Sequence, residues 1–271
     1  MTKVTGRSTL GLPFALDPEQ VDRWRRVGPL GGMVFLDYDG TLTPIVDRPE
    51  QAILSGSMRQ TLLQLAQKLP VAIVSGRDID VVADLVRVDH LAYVGSHGLD
   101  IVGPPGSGLR KEVALEFVPV LDKVEHELKR RTEDVAGVVV ERKRFSVSTH
   151  VRLVASDERE RVDAIVDALQ REQPTLRREA GKMLFELRPD IDWDKGHAVC
   201  WLLDAMGRTP SEALFIGDDL TDETVFRSLT SRGVGIVVAE TRRPTSADLR
   251  LGNVQEVERL LERLTAAASG P

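Results

Sequence analysis

The chain has 271 residues, of which 42% are hydrophobic and 29% are charged, enough to build one large α/β domain or two smaller ones. A net charge of −6, with no basic tail or stripe, argues against nucleic acid as the main partner. A single cysteine excludes an intramolecular disulfide, and no run of residues is apolar and long enough to span a bilayer. The N-terminus lacks the apolar stretch of a signal peptide, so we expect a soluble, cytoplasmic protein. Nothing in the sequence indicates an oligomeric state.

Apolar segments typical of strands alternate with helical patterns in the first part of the chain. Strands are predicted at 33–39, 71–76 and 91–98, and helices at 55–70 and 78–88. This βαβαβ order is typical of a parallel sheet whose strands are covered on both faces. The same alternation resumes after residue 190 and ends in an amphipathic helix over 253–267, whose apolar residues are expected to pack in the core.

The stretch between these two parts has a different pattern. It begins near the Pro/Gly-rich GPPGSG at 103–108, continues through one long helical pattern, and then gives β-type segments, a helix near 158–172 and a last strand over 182–188. We therefore predict an inserted α+β domain at 104–187. It would separate a first part of the core domain at 1–103 from a second part at 188–271.

The segment MVFLDYDGTL at 33–42 ends a predicted buried strand on two carboxylates, Asp37 and Asp39. Asp39-Gly40 is an ordinary turn signal, but Asp37 requires a partner, solvent or a metal because an ionised carboxylate is costly to bury alone. Ligands of open α/β sheets bind at the carboxyl ends of the strands. The segment therefore predicts an ion-binding or anion-binding site at this edge of the sheet.

Further polar groups follow other core strands or begin the adjoining helix. They are Ser75, Gly76 and Arg77 after the second strand, Lys195 and Gly196 at a helix start, and Asp218, Asp219 and Asp222 after a later strand. Each is ordinary loop or capping chemistry by itself, but their common position in one sheet points to a shared site. Together they supply the nucleophile, metal-binding acids, hydroxyl and lysine that phosphoryl transfer needs.

These segments resemble the four motifs of the haloacid dehalogenase-like phosphohydrolases. Asp37-Tyr38-Asp39-Gly40-Thr41 is similar to the first motif, Ser75 to the second, Lys195 to the third and Asp218-Asp219 to the fourth. The resemblance implies a parallel-sheet, Rossmann-like α/β core with an inserted α+β cap domain. The insertion would follow the second motif, because 37 residues separate Asp37 from Ser75 and 119 separate Ser75 from Lys195. Such a cap usually admits small molecules and excludes proteins, which argues against a protein phosphatase.

The resemblance also implies catalytic roles. Asp37 would attack phosphorus and become an aspartyl-phosphate, while Asp39 would protonate the leaving alcohol and then activate the hydrolytic water. Ser75 and Lys195 would hold the phosphoryl oxygens. Lys195 would also limit the repulsion between the acidic cluster and an anionic substrate.

A magnesium site is implied in the same way. Asp37, the main-chain carbonyl of Asp39 and Asp218 would bind Mg²⁺, which prefers hard oxygen ligands in octahedral geometry. Asp219 and Asp222 would hold waters around the metal.

Further segments narrow the resemblance to the trehalose-6-phosphate phosphatases, from about Met33 to the C-terminus. They are SGRD, GSHGLD, VERKRFSVSTHVR, FELRP, DKG and GDDLTDE. The resemblance implies that the substrate is bound by Gly76, Arg77, His97, Glu141, Lys143, Ser146, His150, Arg152 and Glu186. Val151 stands where that family usually has an aromatic residue, which affects no catalytic role.

Strand parity tests whether the polar residues of the insertion share a face. Glu141 and Lys143 are two residues apart and would point to the same side of a strand, as would Ser146, Ser148, His150 and Arg152. The two sets are out of step, because one has odd and the other even residue numbers. A turn near Arg144-Phe145 would bring both sets onto one face, toward a sugar. The alternative is a solvated hairpin with cross-strand ion pairs. His150 alone is more typical of a structural hydrogen bond, and His97 fits a turn-stabilising role nearly as well as a substrate contact.

The leading hypothesis is an Mg²⁺-dependent phosphatase that releases trehalose and phosphate from trehalose 6-phosphate. The nearest alternative is a related cap-bearing phosphatase for another sugar phosphate, such as sucrose 6-phosphate or a glycosyl-phosphoglycerate. A phosphoryl-receiving signalling module also has a strand-end aspartate, but it needs a long-lived aspartyl-phosphate, so Asp39 and the insertion argue against it. A regulatory pseudoenzyme is conceivable, yet no motif residue is missing. The first 30 residues show no family motif.

Overall fold

The computed structural model describes residues 7–25, 27, 32–46, 48–181 and 183–268. Part of the N-terminal stretch without a motif, at 1–6, 26 and 28–30, lies outside the described residues. The chain divides into two compact units. The core unit consists of the residues up to Lys111 and from Trp193 onward, and the inserted unit is Glu112–Asp192. Within the described residues, every helix is too short or too polar to cross a membrane.

Strands and helices alternate along most of the core unit and are mixed in the inserted unit. The strands are β1 (Arg7–Ser8), β2 (Met33–Asp37), β3 (Val71–Val74), β4 (Ala92–Gly95), β5 (Asp100–Val102), β6 (Arg110–Glu112), β7 (Val139–Lys143), β8 (Ser146–His150), β9 (Leu176–Gly181), β10 (Leu184–Pro189), β11 (Ala213–Gly217), β12 (Val234–Val238), β13 (Pro244–Thr245) and β14 (Leu249–Leu251). The helices are α1 (Val21–Arg25), α2 (Gly56–Ala66), α3 (Ile79–Val86), α4 (Val118–Arg131), α5 (Arg159–Glu172), α6 (Lys195–Ala205), α7 (Glu223–Leu229) and α8 (Val254–Ala268).

The core sheet has eight strands in the order β14-β12-β11-β2-β3-β4-β5-β6. The six strands from β14 to β4 are parallel, and β5 is antiparallel to β4. From β2 the chain proceeds to β3 on one side, and it later returns through β11 on the other. The carboxyl end of β2 is therefore a point where the strand order reverses, the usual location of a ligand site in an open α/β sheet.

The composition of β2 follows from burial on both faces. Val34 and Leu36 belong to one apolar cluster, with residues of α2, α3 and α8, whereas Met33 and Phe35 belong to a second cluster, with residues of α6 and α7. All four side chains are fully buried. The continuous apolar run therefore indicated a doubly covered strand correctly, and it places Asp37 at the edge of the sheet.

The Pro/Gly-rich segment 103–108 is the tip of a hairpin of the core sheet, since β5 and β6 are neighbours there. The N–H of Gly103 donates to the carbonyl of Leu109 at 2.8 Å. A second small sheet pairs β1 with β13 in antiparallel fashion. It attaches part of the motif-free N-terminal segment to the core unit.

The inserted unit contains an antiparallel sheet in the order β7-β8-β10-β9, with an apolar cluster formed by α4, α5 and the sheet. The predicted hairpin turn at Arg144-Phe145 is confirmed, because Lys143 pairs with Ser146 and Glu141 with Ser148. Strand β9 was not predicted. Its sequence, LRREAG, has one large apolar residue, so pairing with β10 and not local pattern makes it a strand.

Candidate active site

A buried ion-pair network joins the ends of two core strands to a helix start. Lys195 begins α6 and is 3% exposed; its Nζ donates to Oδ1 of Asp37 and to Oδ1 of Asp222, both at 2.8 Å. Burial by itself would lower the pKa of Lys195, but the two carboxylates outweigh burial and raise the pKa above its ordinary value. Lys195 therefore remains an ammonium, although the N-terminus of a helix disfavours a cation.

Asp222 is held by two donors rather than facing solvent. Its Oδ1 accepts from Lys195, and its Oδ2 accepts from the N–H of Asp219 at 3.0 Å. Asp219 is exposed, and its Oδ1 accepts from the N–H of Leu220 at 2.6 Å, so that it caps the turn before α7. Asp222 thus helps to orient Lys195, and Asp219 stabilises the conformation of the loop.

Three carboxylates at this edge are suited to a cation. Asp37, Asp218 and Asp222 each offer an oxygen, and these three atoms lie within 4.8 Å of one another. Burial raises the pKa of Asp37 well above its ordinary value, and the charges of Asp222 and Asp218 add to that rise while Lys195 opposes it. Burial, Asp222 and Asp219 raise the pKa of Asp218 to about 7. One ammonium does not balance this cluster.

Asp218 has the features of a metal ligand in this arrangement. Its Oδ1 is buried and has no hydrogen-bond partner among the described residues. A Cβ on Gly40 would lie 2.1 Å from Asp218 Oδ2, and Gly40 has a φ of +84°, so only glycine leaves room for the carboxylate. An unpartnered oxygen in a set of carboxylates fits a hard divalent cation.

Asp39, the second carboxylate of the first motif, forms a two-point ion pair with Arg77. Nε of Arg77 donates to Asp39 Oδ2 at 2.7 Å, and Nη2 donates to Oδ1 at 2.6 Å. The guanidinium also lies over the ring of Tyr38, 5.6 Å from its centroid. The structure shows that Arg77 orients Asp39, and its predicted role in substrate binding stays a prediction.

The second motif and His97 share one loop cluster. Ser75 is buried, and its Oγ accepts from the N–H of Arg77 at 3.1 Å. The N–H of His97 donates to the carbonyl of Ser75 at 3.1 Å. A Cβ on Gly76 would lie 2.5 Å from Cε1 of His97, so the imidazole packs directly on the Gly76 backbone. The imidazole of His97 is therefore part of the packing of this turn, and its predicted contact with substrate stays a prediction.

A left-handed turn connects this cluster to the start of α6. Ser96, His97 and Gly98 all have positive φ, at 49°, 57° and 102°. A Cβ on Gly98 would lie 2.7 Å from the carbonyl oxygen of Asp194, whose side chain caps α6. Two consecutive non-glycine residues in this region are costly and persist only where surrounding contacts hold them. The turn thus sets the distance between the Ser75 loop and Lys195.

The polar face of the inserted unit is centred on Glu186 in β10. Glu186 is 8% exposed, and its Oε1 accepts from Lys143 Nζ at 3.1 Å, from Ser146 Oγ at 2.9 Å and from Ser148 Oγ at 2.9 Å. A buried carboxylate with three donors is stable and fixed in orientation. Its donors Lys143, Ser146 and Ser148 come from both sets of alternating residues, so members of both sets share one face.

The remaining predicted residues of the inserted unit lie at the end of this face. His150 Nε2 and Glu141 Oε2 are 2.8 Å apart across the hairpin. Strand β8 ends at His150, so Arg152 lies in the following turn and is exposed, outside the strand alternation. A polar contact across the hairpin, as in the alternative hypothesis, is therefore present, and it is compatible with either role of the hairpin.

Two residues without a predicted role contact the site. Arg243, in the loop between β12 and β13, donates to the carbonyl of Asp218 and to Glu223 Oε1, the latter at 3.1 Å. Glu223 is 3% exposed and begins α7. Glu223 stood beside the fourth motif, but a loop arginine such as Arg243 gave no signal because such residues usually face solvent.

Solved structures share the fold of this chain. It is similar to a haloacid dehalogenase-like hydrolase from Bacteroides thetaiotaomicron, with a TM-score of 0.64 and 19% identity over 86% of this chain and 99% of that chain. It is also similar to the C-terminal domain of the C. albicans trehalose-6-phosphate phosphatase, with a TM-score of 0.73 and 26% identity over 94% and 98%. The predicted fold, a mostly parallel α/β core of the haloacid dehalogenase type with an inserted α+β domain, is confirmed.

Sequence comparison identifies the family within that class. The family model described as Trehalose-phosphatase matches residues 35–255. The chain is 40% identical over 248 residues to "Probable trehalose-phosphate phosphatase H" of Arabidopsis thaliana, covering 86% of this chain and 71% of that protein. It is 38% identical over 249 residues to "Trehalose 6-phosphate phosphatase RA3" of Zea mays, covering 86% and 69%. The chain belongs to the trehalose-phosphatase family and is a phosphatase.

Replacing Gly98 with alanine tests the role of the left-handed turn. We expect Gly98→Ala to lower kcat for p-nitrophenyl phosphate about 100-fold, because the Cβ displaces Asp194 and with it the start of the helix that carries Lys195. Gly106→Ala is the matched control: Gly106 also has a positive φ, but nothing lies within 4 Å of its added Cβ. Equal kcat values for the two variants would contradict this role of the turn.

Proposed function

We propose that this protein hydrolyses trehalose 6-phosphate to trehalose and phosphate, with Mg²⁺ as its cofactor and an aspartyl-phosphate as its intermediate. The observation that carries the proposal is the buried Asp37, joined to Lys195 beside an Asp218 oxygen without a partner, in a chain of the trehalose-phosphatase family. The proposal also includes a cytoplasmic location for the protein.

The first half of the reaction uses the two carboxylates of the first motif. A carboxylate oxygen of Asp37 attacks phosphorus as the bond between phosphorus and the sugar oxygen breaks, and Asp39 gives that oxygen a proton. Lys195 fixes the orientation of Asp37 and, with Ser75, balances charge on the phosphoryl oxygens. Both Asp39 oxygens accept from Arg77, so Arg77 must shift before Asp39 acts as an acid, and the phosphoryl group is a suitable new partner for its guanidinium.

The second half returns the enzyme to its initial state. Asp39, now a carboxylate, takes a proton from water as the water oxygen attacks phosphorus, and the bond from phosphorus to Asp37 breaks. Asp37, the main-chain carbonyl of Asp39 and Asp218 would hold Mg²⁺, which when bound supplies positive charge against the phosphoryl oxygens. Asp222 keeps Lys195 in place throughout because it is buried and bonded to the ammonium.

The inserted unit is proposed to bind the sugar. Glu141, Lys143 and Glu186 present charged groups on one face of its sheet, and charged groups form strong hydrogen bonds with hydroxyls. Ser146 and His150 lie on the same sheet beside them, and Arg152 lies just beyond it. The roles of these residues and the domain bounds 104–187 remain part of the proposal.

A panel of sugar phosphates tests the proposed substrate. We expect phosphate release from trehalose 6-phosphate to exceed release from sucrose 6-phosphate or a glycosyl-phosphoglycerate by at least about tenfold in kcat/KM, since binding energy from the correct sugar lowers the barrier. Excess chelator should abolish release, and added Mg²⁺ should restore it. A preference for another sugar phosphate would show that trehalose 6-phosphate is not the substrate. Full activity in excess chelator would show that the reaction needs no metal.

The two carboxylates of the first motif are distinguished by substitution. Asp37→Asn should reduce turnover of every substrate by several orders of magnitude, because the nucleophile is lost. Asp39→Asn should slow the hydrolysis of trehalose 6-phosphate far more than that of p-nitrophenyl phosphate, whose leaving group needs no proton. Turnover by Asp37→Asn within about tenfold of wild type, or equal effects of Asp39→Asn on both substrates, would refute the assigned roles.

Substitutions on the polar face of β7 test sugar binding. Glu141→Ala and Lys143→Ala should each lower kcat/KM for trehalose 6-phosphate about 10- to 1000-fold, as one or two charge-assisted hydrogen bonds are lost, and leave p-nitrophenyl phosphate hydrolysis nearly unchanged. Arg142→Ala is the control, because Arg142 lies between them in the strand and binds Asp122 of α4 instead. Losses of equal size on both substrates would show that the sugar site is misassigned.

A further inference from the structure

Arg243 is the one cation among the described residues that donates to the main chain of Asp218. Its guanidinium contacts the Asp218 carbonyl through Nη2 and Glu223 Oε1 through Nη1. Arg243 lies outside all four motifs, in the loop after β12. The side chain therefore connects a distant loop to the residue that offers the unpartnered carboxylate oxygen.

The position of that oxygen depends on the main chain. Because Oδ1 of Asp218 has no hydrogen-bond partner among the described residues, no donor holds it in place. The backbone of Asp218 must then determine where the carboxylate lies, and Arg243 is bonded to that backbone. Groups that orient metal ligands in this way commonly contribute to metal affinity.

The carboxylate of Glu223 holds the side chain of Arg243 in place. This carboxylate is 3% exposed and accepts from Arg243 on Oε1 and from the N–H of Ser246 on Oε2, at 2.8 Å. A buried carboxylate requires such partners, so the ion pair holds the guanidinium between α7 and the loop.

The N-terminal segment fixes the main chain of Arg243. Thr9 is fully buried; its N–H donates to the carbonyl of Arg243 at 2.9 Å, and its Oγ1 accepts from the N–H of Arg243 at 3.0 Å. The same Oγ1 donates to the carbonyl of Thr241 at 2.7 Å. Strand β1 continues the contact by pairing with β13. Thr9 and β1 lie before the 35–255 stretch that matches the family model, whereas Arg243 and β13 lie within it.

We propose that Arg243 is a positioning residue for Asp218 as a metal ligand, and that the N-terminal segment 7–15 holds Arg243 in place through Thr9. The inference rests on the metal site of the proposed function and adds to it a structural role for a segment without a motif. It requires no direct contact of Arg243 or Thr9 with metal or substrate.

Direct metal binding, without substrate, tests the inference. Binding of Mn²⁺ to the full chain is measured by electron paramagnetic resonance of the free ion, for wild type, Asp218→Ala, Arg243→Met, Arg243→Lys and Thr9→Val. We expect Arg243→Met to raise the Mn²⁺ dissociation constant about 10- to 100-fold, with partial recovery in Arg243→Lys. Thr9→Val keeps the side-chain shape and should raise the constant about two- to tenfold, as expected for lost neutral hydrogen bonds.

Two further variants separate positioning from general stability. Arg243→Met leaves Glu223 buried without its cation, so the double variant Arg243→Met/Glu223→Gln removes that penalty while leaving the Asp218 carbonyl unsupported. We expect it to regain thermal stability and still bind Mn²⁺ weakly. Arg263→Met is the matched control, because Arg263 donates to the carbonyl of Leu16 in the same N-terminal region, away from Asp218. It should bind Mn²⁺ as wild type does.

Each remaining outcome decides the question. Wild-type Mn²⁺ affinity in Arg243→Met, recovery of affinity in the double variant, or an equal loss in Arg263→Met would overturn the positioning role. Wild-type affinity in Thr9→Val would overturn the role of the N-terminal segment. If the variants weaken Mn²⁺ binding as expected but the wild type releases no phosphate from trehalose 6-phosphate, the inference stands and the proposed function fails.

Discussion

The buried ammonium of Lys195 is the interaction on which the site depends. It joins Asp37 and Asp222, which are 158 and 27 residues away from it in sequence. Desolvation of all three groups is costly, and only close pairing in the folded state offsets that cost. The ion pairs therefore exist only when β2, the loop after β11 and the start of α6 meet at the same edge of the core sheet.

Backbone conformation brings these segments together as much as side-chain packing does. Glycine at position 40 leaves room for the Asp218 carboxylate, and the left-handed turn at 96–98 fits against the carbonyl of Asp194. Such conformations are unfavourable for most residues, so the surrounding sheet and helices must stabilise them. The result is a cluster with excess negative charge and an Asp218 oxygen that has no hydrogen-bond partner among the described residues, an arrangement suited to a divalent cation.

The two units divide the chemical groups between them. The core unit holds the acidic cluster, Ser75 and Lys195, whereas the inserted unit holds a separate face on which Glu186 accepts three hydrogen bonds. The first set is suited to phosphoryl chemistry and the second to hydroxyl recognition.

The sequence by itself determined the strands and helices that have strong local patterns, and which types of residue lie at the candidate site. The apolar run of β2 gave a doubly buried strand, strand parity gave the hairpin at Arg144-Phe145, and polar residues at strand ends gave the acidic cluster at the edge of the core sheet. Only the tertiary structure decided the pairing of Arg77 with Asp39, of Asp222 with Lys195 and of Arg243 with Asp218. It also decided that LRREAG is a strand. Local patterns report the burial and turn preferences of neighbouring residues, whereas a charge selects its partner from every segment that folding brings near it.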